Sequence, residues 1–211
     1  MLGLPPLDGT GVSCGDVDAV HPVIEIVDYK ASWPAEFQAV ARRLREALGA
    51  SALRIDHIGS TAVPGLAAKD VIDLQVTVAD LDGQVPELLA RAGFRPWQDL
   101  MTDHSPPGVE LSATELQKRL FNAPEGERRA NIHLRVEGRF NQRYPLLCRD
   151  YLRAEPLAAS AYGQVKRALA RIVPNDVEAY YDVKDPVFDI LMAGAEAWAA
   201  RTSWRPGPCD A

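Results

Sequence analysis

The stretch from residue 54 to residue 78 constrains the fold of this chain more than any other part of it. Apolar residues between positions 53 and 58 form a run that stops at Gly59-Ser60, which predicts a strand followed by a loop. Residues 71–78 are rich in β-branched side chains and predict a second, buried strand. Pro64-Gly65 suits the centre of a type II turn, because proline fixes φ and glycine accepts a positive φ. The unit is therefore strand, loop, turn and strand.

The residues of this loop are typical of an anion-binding site. A glycine lets a ligand approach the main chain, two hydroxyls can donate hydrogen bonds, and a lysine can supply a point charge. The candidate phosphate-binding residues are Gly59, Ser60, Thr61 and Lys69. The alternative is a tight turn that binds nothing, followed by a lysine that is simply solvated. No P-loop spacing and no GxGxxG motif is present.

Asp73 and Gln75 are two positions apart in the second strand, so both side chains point to the same face of the sheet. Two carboxylates at these positions would suit a divalent metal, because hard cations prefer several oxygen ligands. Here the second position carries an uncharged amide. Asp73 lies in an otherwise apolar strand, where a buried charge is rarely left unpaired. We therefore expect Asp73 to bind a metal, a ligand or an internal cation.

A basic segment extends from residue 118 to residue 153 in a chain whose formal net charge is −6. Arginine guanidinium groups match the geometry of phosphate and carboxylate, so this segment predicts a clamp for an anionic small molecule. Its candidate ligand-binding residues are His133, Arg135, Arg149 and Arg153. The alternative is that these arginines lie on helix surfaces, paired with acidic residues. A zinc site that combines the histidines with Asp73 would have no matching ligand spacing.

The remaining sequence sets the domain organisation. Residues 1–20 and 201–211 are interpreted as flexible tails, and residues 21–200 as one domain. The acidic net charge argues against a general nucleic-acid binder. Three distant cysteines without CxxC spacing, no membrane span and no signal peptide predict a cytoplasmic protein.

Strands are predicted mainly in the first two thirds of the chain and helices in the last third. This order predicts an α/β fold with a mixed sheet flanked by helices and a helical C-terminal part. Residues 23–27 are predicted to form a short strand. Helix N-caps are expected at Ser32, at Asp80 or Asp82, and at Asn141.

The sequence from His57 to Lys69, followed by Ile72-Asp73, resembles the signature of the GrpB family. Residues 28–34 resemble the entry segment of that family, and residues 149–153 and 162–166 resemble its helical half. The resemblance covers about residues 22–200. Within the family, the chain looks most similar to the GrpB domain that is fused behind dephospho-CoA kinase in actinobacteria.

This resemblance implies a nucleotidyltransferase-like fold. In that superfamily a Gly-Ser loop holds the nucleotide phosphates, and an Asp-x-Asp/Glu strand binds magnesium. Gly59-Ser60 matches the loop, Asp73 matches the first carboxylate, and Gln75 stands at the second. Asp73 is thus the candidate catalytic residue and Mg²⁺ ligand.

Two functions remain open at this point. The first is binding of a nucleotide or other phosphorylated small molecule, with transferase activity that is weak or absent because a metal ligand is missing. The alternative is a non-catalytic partner or chaperone-like module linked to coenzyme A biosynthesis.

Overall fold

The computed structural model describes residues 23–211, so the predicted tail at residues 1–20 lies outside it. Five strands form one sheet in the order β1-β2-β5-β4-β3. They are β1 (Arg54–Ile58), β2 (Ile72–Val78), β3 (Arg95–Thr102), β4 (Gln117–Asn122) and β5 (Ala130–Val136). The pair β2–β5 is parallel and the other three pairs are antiparallel, so the sheet is mixed.

Within residues 23–211, six α-helices flank the sheet, and three of them follow the last strand. They are α1 (Trp33–Leu48), α2 (Val85–Arg91), α3 (Ala113–Leu116), α4 (Phe140–Ala154), α5 (Pro156–Ile172) and α6 (Val177–Thr202). The predicted fold class, a mixed sheet with a helical C-terminal part, is confirmed. No helix within residues 23–211 is both long enough and apolar enough to cross a membrane.

The two faces of the sheet differ because side chains alternate along each strand. One face carries Leu74 of β2, Ile132 of β5 and their apolar neighbours, all fully buried against α1 and α2 in the main hydrophobic core. Trp33 and Phe37 of α1 belong to this core. Burial of these large side chains stabilises the fold by roughly 1.5–3 kcal/mol each.

The opposite face is polar and lies on the side of α4, α5 and α6. The parallel register pairs Asp73 with Asn131, Gln75 with His133, and Thr77 with Arg135. A face with this composition cannot form a hydrophobic core. Its polar groups must instead bind one another or a ligand.

Three local predictions are wrong. Residues 23–27 form only an isolated bridge between Val27 and Ala68 instead of a strand, because the chain here runs between different partners: the Ile24 amide donates to the Pro174 carbonyl, and only Val27 pairs with Ala68. Asn141 lies inside α4, where its side-chain amide contacts Asp103, and does not cap the helix.

The third wrong prediction is the N-cap of α2, whereas the N-cap of α1 lies where it was predicted. Ser32 is the N-cap of α1, but its side chain accepts no capping hydrogen bond, because its backbone is already helical. Asp80 accepts bonds from the amides of Asp82 and Gly83, so it stabilises the turn before α2. The N-cap of α2 is Gln84.

Residues 203–211, which the sequence indicated as part of a tail, lie along the free edge of β1. The Asp210 carboxylate accepts hydrogen bonds from the His57 amide (2.9 Å) and from Arg149 Nη1 (2.6 Å). The Cys209 thiol lies 3.1 Å from the Ile55 amide nitrogen. These contacts cover backbone groups of an edge strand that would otherwise be open to pairing with another chain.

Asp210→Asn should therefore lower the free energy of unfolding by about 1.5–3 kcal/mol, because a charged hydrogen bond to a buried guanidinium is lost. Equilibrium urea unfolding measures this difference. Asp182→Asn on α6 is the matched control. Asp182 is exposed, so this substitution should change stability by less than about 0.5 kcal/mol. Equal stability of Asp210→Asn and the wild type would contradict the proposed edge contact.

Candidate functional site

The loop after β1 brings Gly59 into direct contact with Asp73. Gly59 has φ of +70°, and a Cβ at this position would lie 2.6 Å from Asp73 Oδ2. Only glycine satisfies both conditions. The predicted type II turn also forms, since Gly65 has φ of +78° and the Leu66 amide donates to the Val63 carbonyl at 3.1 Å.

Asp73 lies on the polar face with a side chain that is 30% exposed. Asn131 Nδ2 donates to Asp73 Oδ1 at 2.8 Å, and His133 Nε2 lies 3.8 Å from the same oxygen. Burial opposes the charge on Asp73, but the neighbouring His133 and Asn131 side chains outweigh it, so the pKa of Asp73 lies below its ordinary value. Asp73 is therefore an ionised, accessible carboxylate at neutral pH.

His133 beside it is neutral at the same pH. Burial lowers the pKa of His133 to about 4, and the nearby charges of Arg135 and Lys118 act in the same direction. Its Nδ1 atom is buried and has no hydrogen-bond partner among the described residues. A ligand or water that reaches this atom would satisfy it.

Lys166 of α5 is the most unusual group near the loop. It lies in the segment 162–166 that resembles the GrpB family, but no site role was predicted for it. Its ammonium donates to Ser60 Oγ at 2.7 Å and to the Ala67 carbonyl at 2.5 Å, with the ring of Tyr162 at 4.6 Å. Only 3% of Lys166 is exposed, and burial lowers its pKa to about 7. One sequence signal could have revealed it, because the buried stripe of α5 includes position 166.

Lys69 and Lys184 lie close to the same loop and share an aromatic neighbour. Lys69 Nζ lies over the rings of Tyr180 (4.5 Å) and Tyr181 (4.8 Å), and Lys184 Nζ lies 5.1 Å from the Tyr181 ring centre. Burial and the charge of Lys184 lower the pKa of Lys69. Tyr181 itself is 41% exposed, so part of its ring is available to a ligand.

Gly59, Ser60, Lys69, Asp73 and Lys166 together are called the lysine site below. Ser60, Lys69 and Asp73 are each partly exposed, so a small molecule can reach them. Cationic groups outnumber carboxylates here, an arrangement that favours anionic ligands.

The second position of the expected carboxylate pair is occupied by a fully buried amide. Gln75 Nε2 donates to the Gln142 carbonyl at 2.9 Å, and Gln75 Oε1 accepts from Arg135 Nη1 at 2.9 Å. Arg135 is in turn held by both oxygens of Asp103, at 2.9 and 3.2 Å. The charges of Arg135 and Lys118 outweigh burial and keep the pKa of Asp103 well below its ordinary range.

These side chains do not fit the two-carboxylate magnesium centre that the family resemblance implied. Asp73 supplies one carboxylate, but the oxygen of Gln75 is already used by a guanidinium. Over the described part of the chain, no three His, Cys, Asp or Glu side chains are placed to hold one ion. The prediction that Asp73 binds Mg²⁺ thus lacks the second ligand that would support it.

Three other predicted ligand-binding residues have structural partners away from the lysine site. Thr61 Oγ1 lies 3.0 Å from His57 Nε2, and both are buried on the apolar side of the sheet. Arg149 donates to the His57 carbonyl and to Asp210 at the β1 edge. Arg153 donates to the Ala62 carbonyl at 2.9 Å.

The local backbone at the loop and the direction of helix α4 explain these partners. A 3₁₀ turn at Ser60–Ala62 rotates the Thr61 hydroxyl into the core. There His57 stacks on Phe37 with ring centres 4.7 Å apart, and burial lowers the His57 pKa to about 4. Helix α4 directs Arg149 towards β1 and not towards Asp73. Of the predicted residues, Gly59, Ser60, Lys69, Asp73 and His133 come together, with Arg135 next to them.

Comparisons with known proteins agree on one family. The dephospho-CoA kinase of Mycolicibacterium paratuberculosis is 37% identical over an alignment of 198 positions, which covers 87% of this chain and 48% of that protein. The chain thus spans about half the length of the dephospho-CoA kinases it matches. A UPF0157 protein of Streptomyces coelicolor is 36% identical over 84% of this chain and 86% of its own length.

A solved structure is similar over most of the chain. The conserved protein GrpB from Enterococcus faecalis matches with a TM-score of 0.65 and 28% identity, covering 82% of this chain and 99% of that one. The family model described as GrpB protein matches residues 23–193. The chain therefore belongs to the GrpB family.

Proposed function

We propose that this protein binds a nucleotide or another phosphorylated small molecule at the lysine site, with transferase activity that is weak or absent. One observation carries the proposal. Lys69 and Lys166 lie beside the Gly59-Ser60 loop, and within residues 23–211 they contact aromatic rings, hydroxyls and a carbonyl but no carboxylate. Neither ammonium forms a salt bridge within these residues, and Asp73 acts on both only as a more distant negative charge, which favours an external anion as a direct partner.

Two features favour a nucleotide over a bare phosphate. The partly exposed ring of Tyr181 lies next to the lysines and offers an apolar face for a base. The family resemblance also implies a nucleotidyltransferase-like fold, in which a Gly-Ser loop holds the nucleotide phosphates. Weak or absent transfer follows from Gln75, because phosphoryl and nucleotidyl transfer depend on positive charge that neutralises the reacting phosphates.

We also propose that the protein is cytoplasmic. Cys148 and Cys209 are both unpaired thiols in the structure, as is usual in a reducing compartment.

A thermal-shift screen tests the binding function. Nucleoside triphosphates, coenzyme A precursors and inorganic phosphate are each added with Mg²⁺ and with EDTA. A ligand at about 100 times its Kd should stabilise the folded state by roughly 2.7 kcal/mol. Lys69→Met should weaken binding by about tenfold to a hundredfold, because a charged contact is lost.

Lys30→Met is the matched control. Lys30 is a half-exposed lysine paired with Asp70, and its loss should leave the ligand shift unchanged. Equal affinity in Lys69→Met and the wild type would contradict the role of Lys69. The absence of a shift with every ligand would refute the binding function.

A second candidate function is a non-catalytic partner module linked to coenzyme A biosynthesis. The match to dephospho-CoA kinases, of which this chain covers 48%, favours it. Its test is whether the chain raises the melting temperature of a separately expressed dephospho-CoA kinase domain. A rise in that temperature, together with no ligand shift in the screen, would favour the module.

A further inference from the structure

We propose that the guanidinium of Arg135 takes the place of a divalent metal ion on the polar face, so that the lysine site binds its ligand without a metal ion. The inference rests on the proposed function for the ligand that it serves. The sequence suggested separate roles for the two residues involved. Gln75 stands at the position of a metal ligand, and Arg135 was predicted to bind phosphate.

The orientation of the Gln75 amide is fixed from both ends. Its nitrogen donates to the Gln142 carbonyl, so its oxygen faces Arg135 Nη1 at 2.9 Å. The opposite orientation would place an NH₂ group against a guanidinium and an oxygen against a carbonyl, and both contacts would be repulsive. The oxygen at the second ligand position is therefore committed to a cation that the protein itself supplies.

Arg135 is held rigidly in this position. Asp103 accepts two hydrogen bonds from it in a bidentate pair, and Lys118 and Asn141 Nδ2 also bind Asp103. Arg135 is only 5% exposed. Bidentate arginine–carboxylate pairs fix geometry as well as charge. The guanidinium thus cannot turn aside to admit a metal ion.

The charges of this cluster also favour a metal-free site. Arg135 and Lys118 carry two positive charges against the one negative charge of Asp103. The remaining positive charge faces Asp73 across the same side of the sheet, and Lys118 and Asp73 interact electrostatically. A divalent ion bound at Asp73 would be repelled by this fixed positive charge.

Two substitutions are needed to restore a metal site here. Gln75→Glu places a carboxylate where the resemblance expects one, but Arg135 Nη1 is already aimed at that oxygen. The new carboxylate should pair with Arg135 instead of a metal. Removal of the guanidinium is required as well, so the two substitutions should be strongly non-additive.

Mn²⁺ titration followed by electron paramagnetic resonance tests the proposal. The purified full chain is compared with Gln75→Glu and with the double variant Gln75→Glu/Arg135→Met. We expect no Mn²⁺ binding below about 1 mM for the first two, and at least about tenfold tighter binding for the double variant. Mn²⁺ binding by Gln75→Glu alone that is as tight as in the double variant would overturn the inference.

A second measurement decides the question if the double variant does not fold. Gln75→Glu in the presence of intact Arg135 is then compared with the wild type, using circular dichroism to verify folding. Absence of Mn²⁺ binding in both, with a nucleotide shift that is the same in Mg²⁺ and in EDTA, supports the proposal. A wild-type shift that requires Mg²⁺ overturns it.

The two proposals can fail separately. If no nucleotide raises the melting temperature, the binding function fails, but the Mn²⁺ titrations of the variants still report on Arg135. If nucleotides bind only together with Mg²⁺, the binding function stands and the role of Arg135 as a metal substitute is refuted.

Discussion

Lys166→Met is expected to remove most of the rise in stability that the wild type shows between pH 7 and pH 10. The pKa of Lys166 in the folded protein is about 7, whereas an ordinary lysine has 10.5. Between these values the unfolded chain binds more protons than the folded one, so the free energy of unfolding increases with pH. Each unit corresponds to about 1.4 kcal/mol, which makes the pH-dependent part on the order of 4 kcal/mol.

Equilibrium urea unfolding at several pH values measures this effect. Below about pH 7 the buried ammonium destabilises the folded wild type, and methionine, of similar length, carries no charge there. Lys30→Met, which changes a half-exposed lysine, should keep the wild-type slope. Parallel pH profiles for wild type and Lys166→Met would show that the Lys166 ammonium is solvated and would remove the main support for the lysine site.

Gly59→Ala is expected to lower the free energy of unfolding by about 2–4 kcal/mol, because strain and a steric clash add together. The new Cβ would lie 2.6 Å from Asp73 Oδ2, at a φ of +70°. The carboxylate would have to move, and the contact of Asp73 with Asn131 would be disturbed. Ligand binding at the lysine site should weaken in the same variant.

Gly126→Ala separates the two contributions. Gly126 has φ of +79°, but a Cβ there would meet no atom within 4 Å. It should therefore cost only the backbone strain, about 1–2 kcal/mol. Asp73→Ala should recover part of the loss in the Gly59→Ala background, since it removes the carboxylate oxygens. A cost for Gly59→Ala no greater than that for Gly126→Ala would contradict the close contact with Asp73.

The sequence predicted the parts of the site that lie close together along the chain. Gly59, Ser60 and Asp73 are joined by one turn and by the antiparallel pairing of β1 with β2, which sets Ile58 opposite Asp73. Local rules for strands, turns and glycine are sufficient to place such residues. The same rules did not predict the direction of the Thr61 side chain, which the 3₁₀ turn at Ser60–Ala62 turns towards His57.

Long-range contacts depended on how the helices pack, and the sequence could not specify them. Lys166 is 106 residues from Ser60, and its position depends on the face that α5 presents to the loop. Arg149 was also predicted to bind a ligand. Helix α4 directs it to the β1 edge, where Asp210 accepts its hydrogen bond.

The sequence by itself determined the strand–loop–strand unit, the mixed α/β fold and the single carboxylate at Asp73, because these follow from periodicity, turn residues and residue identity. Only the tertiary structure decided which cations face that carboxylate and what the Gln75 amide binds. Charge and hydrogen-bond partners depend on distances in space, and residues such as Gln75 and Arg135, 60 positions apart, become partners only when parallel strands β2 and β5 pair.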